Sequence, residues 1–268
     1  ELLGLDVRSK RTITGHFTTR LVKVQGYDAI NGWGSNATPN MLTNSSTEPI
    51  SFLTLTVPAR GVTVHPSPTH DSVVAWRSPI DATFKIEGLV ADADGVCGNG
   101  VEWRVELLSE SGASVLAAGK FDNGGRQPFK PESSFSIHTG DVVSLVINPR
   151  DSSHSCDTTH VELKLTTIEN EPRVWNLATD VVDRILDGNP LSDSLGNADT
   201  WHFGAQPASP NAVQQTSSVV AGSSLAAFRT AALDGKADDK LKELADSVQT
   251  VVLNSYPSKL AEPNRTQR

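Results

Sequence analysis

The chain has 268 residues, a formal net charge of −8 and a sequence pI near 5.3. Nucleic-acid binding needs a basic surface that neutralises phosphates, so this acidic balance argues against a nucleic-acid partner. No apolar run approaches the roughly 20 residues that cross a bilayer, which predicts a chain without a membrane span. The length allows one large β-sandwich with an appendage, or two modest domains.

Strands around a long polar loop are predicted for the first part of the chain. Residues 12–25 mix Thr, Val, Ile and Phe with polar residues, which is typical of strands and shows no helical stripe. Residues 27–49 are rich in Gly, Asn, Ser and Pro, so we predict a long loop there. Residues 51–57 alternate between two faces, which predicts one half-buried strand.

An antiparallel β-sandwich is predicted for the middle of the chain. Apolar or alternating runs recur there between turn residues such as Pro66 and Pro68, which cannot donate ladder hydrogen bonds. Trp103 shares a face with the apolar residues of its run, so we expect it in the core. The predicted strands cover residues 62–65, 72–76, 101–107, 142–147 and 160–165.

The composition changes near residue 170, which predicts a second region. Asn176 or Thr179 is the expected N-cap of a short helix that ends at Gly188, with Val181, Val182, Ile185 and Leu186 on its apolar face. A polar linker and two amphipathic helices are predicted beyond it, over residues 206–218, 223–235 and 238–255. We therefore divide the chain into a β-sandwich domain, residues 1–170, and a C-terminal extension with short helices that pack on the sandwich, residues 171–268.

The two cysteines, Cys97 and Cys156, lie in loops rich in Asp, Asn and Gly, each beside the end of a predicted strand. That matched placement favours a disulfide, and a pair of reduced thiols is the alternative. A disulfide persists in an oxidising compartment, so it would indicate a secreted or periplasmic protein. The chain begins without a basic-then-apolar leader, so we expect any secretion signal to have been removed or to lie upstream.

The two cysteine loops also carry oxygen ligands for a hard cation. Asp92, Asp94 and Asn99 lie in the first loop, and Asp157 lies in the second. Calcium takes about six to eight oxygen ligands, including backbone carbonyls, and suits a flexible loop of this kind. These four residues are the candidate ligands of a structural Ca²⁺. A solvated turn held by Asx hydrogen bonds is the alternative interpretation.

Other cofactors and catalytic motifs have little support. The spacing of His154 and His160 relative to the cysteines matches no common zinc finger or ribbon. A covalent haem needs Cys-x-x-Cys-His, which the sequence lacks, so we predict no haem in this fragment. The nucleophile elbow, the phosphate-binding loop and the His-Glu-x-x-His helix are missing from the sequence as well. We therefore predict that the chain is not an enzyme.

Trp33 is the predicted ligand-contacting aromatic residue. It lies between two glycines in the polar run Asn31 to Asn36, where no strand face is expected to bury it. Aromatic faces flanked by hydrogen-bonding groups are typical of sugar-binding surfaces. We predict that Trp33, Asn31 and Asn36 bind a poly- or oligosaccharide. A loop tryptophan folded back over the core is the alternative.

Several motifs of the chain are similar to those of known families. They are HPSP at 65–68, WRSP at 76–79, IEGLVADAD at 86–94, VEWRVEL at 101–107, TGDVVSLVINP at 139–149, DTT at 157–159, VWNLATDV at 174–181 and NADTWHFG at 197–204. With these motifs, the sequence from residue 64 to 165 resembles β-sandwich modules of the galactose-binding or carbohydrate-binding jelly-roll type. The continuation of the chain is similar to the distal part of large secreted bacterial proteins of the Planctomycete cytochrome C family.

These resemblances imply a mainly β fold, an antiparallel jelly-roll sandwich with a small C-terminal helical appendage. They also imply a non-catalytic, extracytoplasmic carbohydrate-binding-like module, attached to a haem-bearing parent protein. The expected partners are a glycan and other domains of the parent chain. A structural or docking domain that positions cytochrome-like or catalytic domains of the parent is the alternative, because fold alone does not assign a ligand.

Overall fold

The computed structural model describes residues 15–208 and 242–247. The helix predicted over residues 223–235 lies outside the described residues, as does most of the one predicted over 238–255. The described part of the latter, residues 242–247, is helical. Among the described residues no helix is long and apolar enough to cross a membrane.

Within residues 15–208 the chain forms sixteen strands and one short α-helix, so the fold is mainly β, as predicted. The strands are β1 (Arg20–Leu21), β2 (Ile30–Gly34), β3 (Asn40–Asn44), β4 (Ile50–Phe52), β5 (Leu55–Val57), β6 (Val62–His65), β7 (His70–Arg77), β8 (Ala82–Asp92), β9 (Val101–Ser109), β10 (Gly112–Phe121), β11 (Arg126–Phe129), β12 (Phe135–Ile137), β13 (Val142–Asn148), β14 (Thr159–Thr167), β15 (Val174–Asn176) and β16 (Trp201–Pro207). The helix is α1 (Leu177–Val181).

Two antiparallel sheets form the sandwich. The larger sheet has the order β1-β2-β3-β6-β14-β8-β11, with β12 beside β8 and β15 beside β14. The second sheet has the order β10-β9-β13-β7-β16. The four strands β6-β14-β8-β11 of the larger sheet and the four strands β7-β13-β9-β10 of the second sheet follow the strand order of a jelly roll. The predicted antiparallel jelly-roll sandwich is confirmed.

The core lies between the sheets and is built by alternating side chains. Trp103 is 4 % exposed and lies among the buried residues of β9, as predicted. Trp76 packs edge-on against both Phe84 and Trp175, with ring centroids 5.2 and 5.3 Å apart. These rings connect the second sheet to the larger one, since β7 carries Trp76 and β8 carries Phe84.

The long loop predicted over residues 27–49 is wrong, because β2 and β3 form a hairpin there. Gly32 explains the error. A Cβ at this position would collide with the carbonyl oxygen of Met41 on the neighbouring strand, so only glycine fits the close approach. The glycine that favoured a loop is therefore a strand residue, and Ile30 and Met41 are fully buried on the two strands.

The single strand predicted over residues 51–57 is also wrong, because the chain folds into the hairpin of β4 and β5. Leu53 and Thr54 form its turn. Leu53 adopts a φ of +53°, which a residue with a side chain rarely does, and it is 82 % exposed. The hairpin packs over the outer face of the larger sheet, where Val57 of β5 forms a buried cluster with Leu21, Ile30 and Leu42. Other side chains of the hairpin, Ile50, Phe52 and Leu55, pack against this cluster.

Two strands of the sandwich lie beyond residue 170, the predicted end of the β-sandwich domain. Strand β15 pairs with β14, and β16 completes the second sheet beside β7. The described residues 15–208 belong to one compact unit, Glu1–Thr216, and residues 242–247 belong to a second, Ser217–Arg268. Strand β16 was not predicted, because its run of Trp, His, Phe and Gly is short and does not alternate regularly between apolar and polar residues.

The predicted N-cap of the short helix is confirmed. The Asn176 side chain accepts hydrogen bonds from the backbone N–H groups of Ala178 and Thr179, at 2.9 and 3.3 Å. Helix α1 ends at Val181, earlier than the sequence predicts, and turns continue the chain. Val182 and Ile185 in these turns are nevertheless buried on the predicted apolar face.

A buried polar network joins four strands of the second sheet. Asp71 on β7 is fully buried and accepts hydrogen bonds from Arg104 on β9, Asn148 on β13 and Gln206 on β16. Burial raises the pKa of Asp71, which these donors oppose. A shift in strand register would separate these partners, so the network specifies the register of the sheet.

Candidate functional site

A disulfide joins Cys97 to Cys156, with 5.4 Å between the two Cα atoms. The predicted bridge is therefore confirmed. It connects the β8–β9 loop to the β13–β14 loop, across a sequence separation of 59 residues. Since both sulfurs are in the bond, neither cysteine is available as a thiolate ligand, and the zinc set with His154 and His160 is excluded.

Three side chains at the disulfide present buried oxygens without hydrogen-bond partners. Asp157 is 2 % exposed and both of its carboxylate oxygens lack a partner, as does Oδ1 of Asp94, which is 4 % exposed. Oδ1 of Asn99 is the third such group. Buried polar atoms in native proteins are paired in the great majority of cases. This cluster, the candidate cation site, therefore calls for a bound partner.

Glycine at position 98 allows the two loops to meet around Asp157. Gly98 has a φ of +101°, and a Cβ there would lie 2.7 Å from the carbonyl oxygen of Ser155. The same Cβ would lie 3.3 Å from Oδ1 of Asp157. Any other residue would be strained in the backbone and crowded against the carboxylate. A second link is the hydrogen bond of 2.8 Å from the Ala93 N–H to the carbonyl of Thr158.

The electrostatics of the site favour an added positive charge. Burial raises the pKa of Asp157 to about 7, and the nearby carboxylates of Asp92 and Asp94 contribute to the rise. Two buried carboxylates side by side repel one another unless a proton or a cation lies between them. Such oxygens coordinate a hard cation directly, so the chemistry of the site fits Ca²⁺.

Asp92 has a different role from the one predicted for it as a ligand. Its two carboxylate oxygens accept hydrogen bonds from the backbone N–H groups of Asp94 and Gly124, at 2.7 and 2.6 Å. It therefore braces the turn, as the alternative interpretation of this loop predicts. Within residues 15–208 and 242–247, no group of three His, Cys, Asp or Glu side chains could hold a metal. A cation here would need Asn99 and backbone oxygens beside the carboxylates of Asp94 and Asp157.

Trp33 is not the exposed aromatic platform that the sequence predicts. It lies in β2 and is 6 % exposed, and its indole N–H donates a hydrogen bond of 2.6 Å to the carbonyl of Ile185. The guanidinium of Arg20 lies 5.4 Å from its ring centroid. The alternative, a tryptophan folded over the core, is correct. The other four tryptophans are also buried, namely Trp76, Trp103, Trp175 and Trp201.

The two asparagines grouped with Trp33 lie in different segments, Asn31 in β2 and Asn36 in the turn between β2 and β3. Asn31 is used locally, because its amide donates to the carbonyl of Asp28 and its oxygen accepts from the N–H of Lys23. Asn36 is exposed and lines an open hollow of about 650 Å³ together with His70 and Pro207. The structure therefore does not bring the three predicted residues together around one ligand.

A groove that the sequence did not predict crosses the outer face of the larger sheet. It has a volume of about 610 Å³, and we call it the sheet groove. The outward side chains of β14 form its floor, and the chain segments 58–61 and 128–130 form its two walls. The floor residues, which are His160, Glu162 and Lys164 with Glu87 of β8, are polar or charged.

The polar floor could have been predicted from the sequence, because polar residues alternate along β14. The walls could not, because each comes from a segment far from β14 along the chain. No aromatic ring stands open in the groove, since its one aromatic residue, Phe129, is 7 % exposed and packs against Trp103 at 5.2 Å between ring centroids. A ligand placed in this groove would therefore meet hydrogen-bonding and charged groups rather than an open aromatic face.

Comparisons with known proteins return little. No family model matches the chain, and no curated protein is similar to it. Among solved structures, the chain is similar to the cysteine protease and lectin-like domains of Cwp84, a surface layer associated protein of Clostridium difficile. That likeness has 11 % sequence identity and a TM-score of 0.29, and covers 62 % of this chain and 33 % of the other. A TM-score this low does not establish a shared fold.

Proposed function

We propose that this chain is a non-catalytic, carbohydrate-binding-like module of a larger protein, and that the sheet groove is its ligand site. The groove itself is the observation that carries the proposal. It is an open channel on a rigid β-sheet, lined by side chains that both donate and accept hydrogen bonds. The four strands that form and flank its floor, at roughly 4.8 Å spacing, give room for a short oligosaccharide.

The floor of the groove is preorganised, which favours binding of a hydroxyl-rich ligand. Lys164 donates to Glu87 at 2.9 Å, and His160 lies 3.8 Å from Glu162. Side chains held in this way lose less conformational freedom when a ligand arrives. Because no aromatic ring is open in the groove, sugar hydroxyls rather than ring faces would be the recognised groups.

Glu87 in the groove does not have the pKa of a glycosidase acid. Hydrolysis by two carboxyl groups needs one of them to stay protonated as a general acid, with a raised pKa. Hydrogen bonds from Lys130 and Lys164 instead lower the pKa of Glu87 to about 2. Glu87 is therefore ionised at neutral pH and is unsuited to be the acid.

A glycan array followed by calorimetric titration of the purified chain tests this function. We expect binding to at least one poly- or oligosaccharide, and we expect the double variant Glu162→Ala and Lys164→Ala to weaken it at least about tenfold. Asn36→Ala probes the hollow beside β2 and should leave binding unchanged. If the Asn36 variant alone loses binding, the ligand site lies in that hollow, and silence across plant, algal and microbial glycans would contradict the proposal.

We also propose that the candidate cation site holds a structural Ca²⁺, with Asp94, Asp157 and Asn99 as side-chain ligands. The support is the set of buried oxygens that lack any partner. Calcium should raise the melting temperature of the chain at pH 8, because a ligand that binds only the folded state stabilises it. Asp157→Asn should remove this response. Lack of any calcium-dependent shift in the unaltered protein would refute the site.

The alternative function, a structural or docking domain, is favoured by Leu53. This leucine is 82 % exposed at the tip of the β4–β5 hairpin, in a backbone conformation that costs free energy. A partner domain that covered it would offset that cost. The test is binding between this chain and separately expressed neighbouring domains of its parent. Leu53→Asn should weaken the association, whereas Leu195→Asn, another exposed leucine, should not.

We propose an extracytoplasmic location for the module, within a parent of the Planctomycete cytochrome C type. The disulfide supports the location, because such bonds persist in oxidising compartments. The parent assignment rests on the sequence resemblance and stays a prediction. Fractionation of cells that produce the parent, with alkylation of free thiols, tests the location, and recovery of Cys97 and Cys156 as reduced thiols in the cytosolic fraction would contradict it.

A further inference from the structure

Two lysines in the sheet groove share a single glutamate. Lys130 Nζ lies 2.9 Å from Glu87 Oε2, and Lys164 Nζ lies 2.9 Å from Glu87 Oε1. Each ammonium carries three N–H donors and one of them faces Glu87 in this arrangement. The lysine side chains are 70 % and 40 % exposed, so their remaining donors face the open groove. The trio therefore bears one surplus positive charge.

The other charged groups near the groove do not cancel this surplus positive charge. Arg60 forms a bidentate ion pair with Asp183 at 2.5 Å, which neutralises it. Glu162 and Arg126 shift the pKa of His160 in opposite directions, so one negative and one positive charge lie close to this imidazole. Burial lowers the pKa of His160, so its imidazole is neutral at neutral pH. Positive charge is concentrated at the lysines, on a chain whose formal net charge is −8.

A negatively charged ligand needs such a local surplus, because the chain as a whole repels anions. A carboxylate placed between the two ammonium groups would accept charge-assisted hydrogen bonds from both, which are about twice as strong as neutral ones. A neutral sugar offers no group that uses the surplus charge. The lysine pair therefore discriminates between acidic and neutral ligands of the same shape.

We infer that the sheet groove binds acidic glycans, with the carboxylate of a uronic-acid residue between Lys130 and Lys164. This inference rests on the proposed carbohydrate-binding function and narrows its ligand class. Neutral sugars at the neighbouring positions would be held by hydrogen bonds with Glu162 and His160. No covalent step is involved, and release follows when salt screens the charge pair.

The test uses the full chain and matched ligand pairs, namely trimers of galacturonate, mannuronate and glucuronate, and the methyl esters of the same trimers. Esterification removes the charge and keeps the ring. Calorimetry should show at least one acid bound at least about tenfold more tightly than its ester. The double variant Lys130→Gln and Lys164→Gln should abolish that preference. Lys120→Gln, which removes an exposed lysine from β10 outside the groove, should keep it.

Each outcome decides one proposal. Equal binding of acids and esters overturns the acidic preference and leaves carbohydrate binding in place. If the Lys130 and Lys164 variant still prefers acids to esters and its melting temperature is unchanged, the ligand carboxylate does not lie between these lysines. If neither these trimers nor any neutral glycan binds, the proposed function fails as well. The lysine pair is supported if the preference for acids weakens between 50 and 300 mM salt in the unaltered chain, and if the lysine variant shows no such change.

Discussion

The hydroxyl of Thr54 donates a hydrogen bond of 2.9 Å to Oδ2 of Asp94, and so joins the β4–β5 hairpin to the candidate cation site. The N–H of Thr56 strengthens the connection with a bond of 2.8 Å to the carbonyl of Ala93. Strand β5 then leads directly into residues 58–61, one wall of the sheet groove. The hairpin thus links the cation site to the groove through continuous backbone.

Replacing Thr54 should destabilise the chain. Thr54→Val keeps the shape of the side chain but leaves Oδ2 of Asp94 without its donor in a buried position. We expect a loss of about 1 to 2 kcal/mol in the free energy of unfolding, because an unsatisfied buried acceptor costs about that much. Urea unfolding at pH 7 measures the loss. Thr56→Val is the control, since its hydroxyl pairs with Ser51 at the surface and should change stability by less than about 0.5 kcal/mol.

Asp157 should give the calcium-free chain an unusual dependence of stability on pH. Its pKa is about 7 in the folded chain, against an ordinary value of 3.8. The folded state therefore holds more protons than the unfolded state between these two values. The contribution of Asp157 to stability consequently falls as the pH rises from 3.8 to about 7, and is lowest above that range.

The variant Asp157→Asn isolates this contribution. In EDTA at pH 8 we expect it to be more stable than the unaltered chain by roughly 2 to 4 kcal/mol, and nearly equal to it at pH 4. Saturating calcium should reverse the order at pH 8, because only the unaltered chain binds it. A pH-independent difference between the two proteins would show that Asp157 does not titrate in this window.

The disulfide should contribute strongly to stability. It closes a loop with a sequence separation of 59 residues, and loop-closure entropy predicts about 4 kcal/mol for that length. The double variant Cys97→Ala and Cys156→Ala should lose about that amount in urea unfolding, and also bind calcium more weakly, since Gly98 and Asp157 adjoin the cysteines. The unaltered chain with its disulfide reduced should behave in the same way. An unchanged unfolding midpoint in both cases would rule out this contribution.

His202 should stay neutral well into the acidic range. Burial, followed by the charge of Arg77, lowers its pKa to about 4. Its Nε2–H donates to the carbonyl of Asp199, so Nδ1 accepts the hydrogen bond of 2.9 Å from Nε2–H of His16. Since the unfolded chain gains its proton near the ordinary value of 6.5, this histidine makes stability fall as the pH drops from about 6.5 towards 4.

Nuclear magnetic resonance measures the titration of His202 directly through its ring nitrogens. We expect a midpoint near pH 4 and the Nε2–H tautomer above it. His16→Ala should disturb the Nδ1 resonance, because it removes the donor. A midpoint near pH 6.5 in the folded chain would mean that His202 is solvated, in conflict with its 1 % exposure.

Local patterns predicted five of the eight strands of the jelly roll, namely β6, β7, β9, β13 and β14. They predicted neither β8, β10 and β11 nor the two hairpins of the first part. In β9, alternation placed Trp103 on the buried face correctly, because strand geometry alone decides which face a side chain takes. In β2, a loop was predicted instead of a strand, because Trp33 lies between two glycines in a polar run. Gly32 is required by its close approach to Met41, and that contact involves a neighbouring strand.

The candidate cation site was predicted in part. Asp94, Asn99 and Asp157 were identified from their residue types and from the cysteines beside them, and the structure gathers unpartnered oxygens on all three. Asp92 could not be separated from them by sequence. Its role depends on which backbone N–H groups its carboxylate reaches, and one of these belongs to Gly124 in another loop.

By itself the sequence determined the fold class and the buried faces of the strands it predicted, limited the helix cap to Asn176 or Thr179, and favoured a disulfide over a pair of thiols. The first three features depend on side-chain periodicity and on residues close together along the chain, and the last depends on the matched placement of the two cysteines beside strand ends. Only the tertiary structure decided that Trp33 is buried, that the Asp157 carboxylate lacks partners and that a charged groove crosses the sheet. Each of these depends on segments distant in sequence, brought together because both sheets must bury their apolar faces against one another.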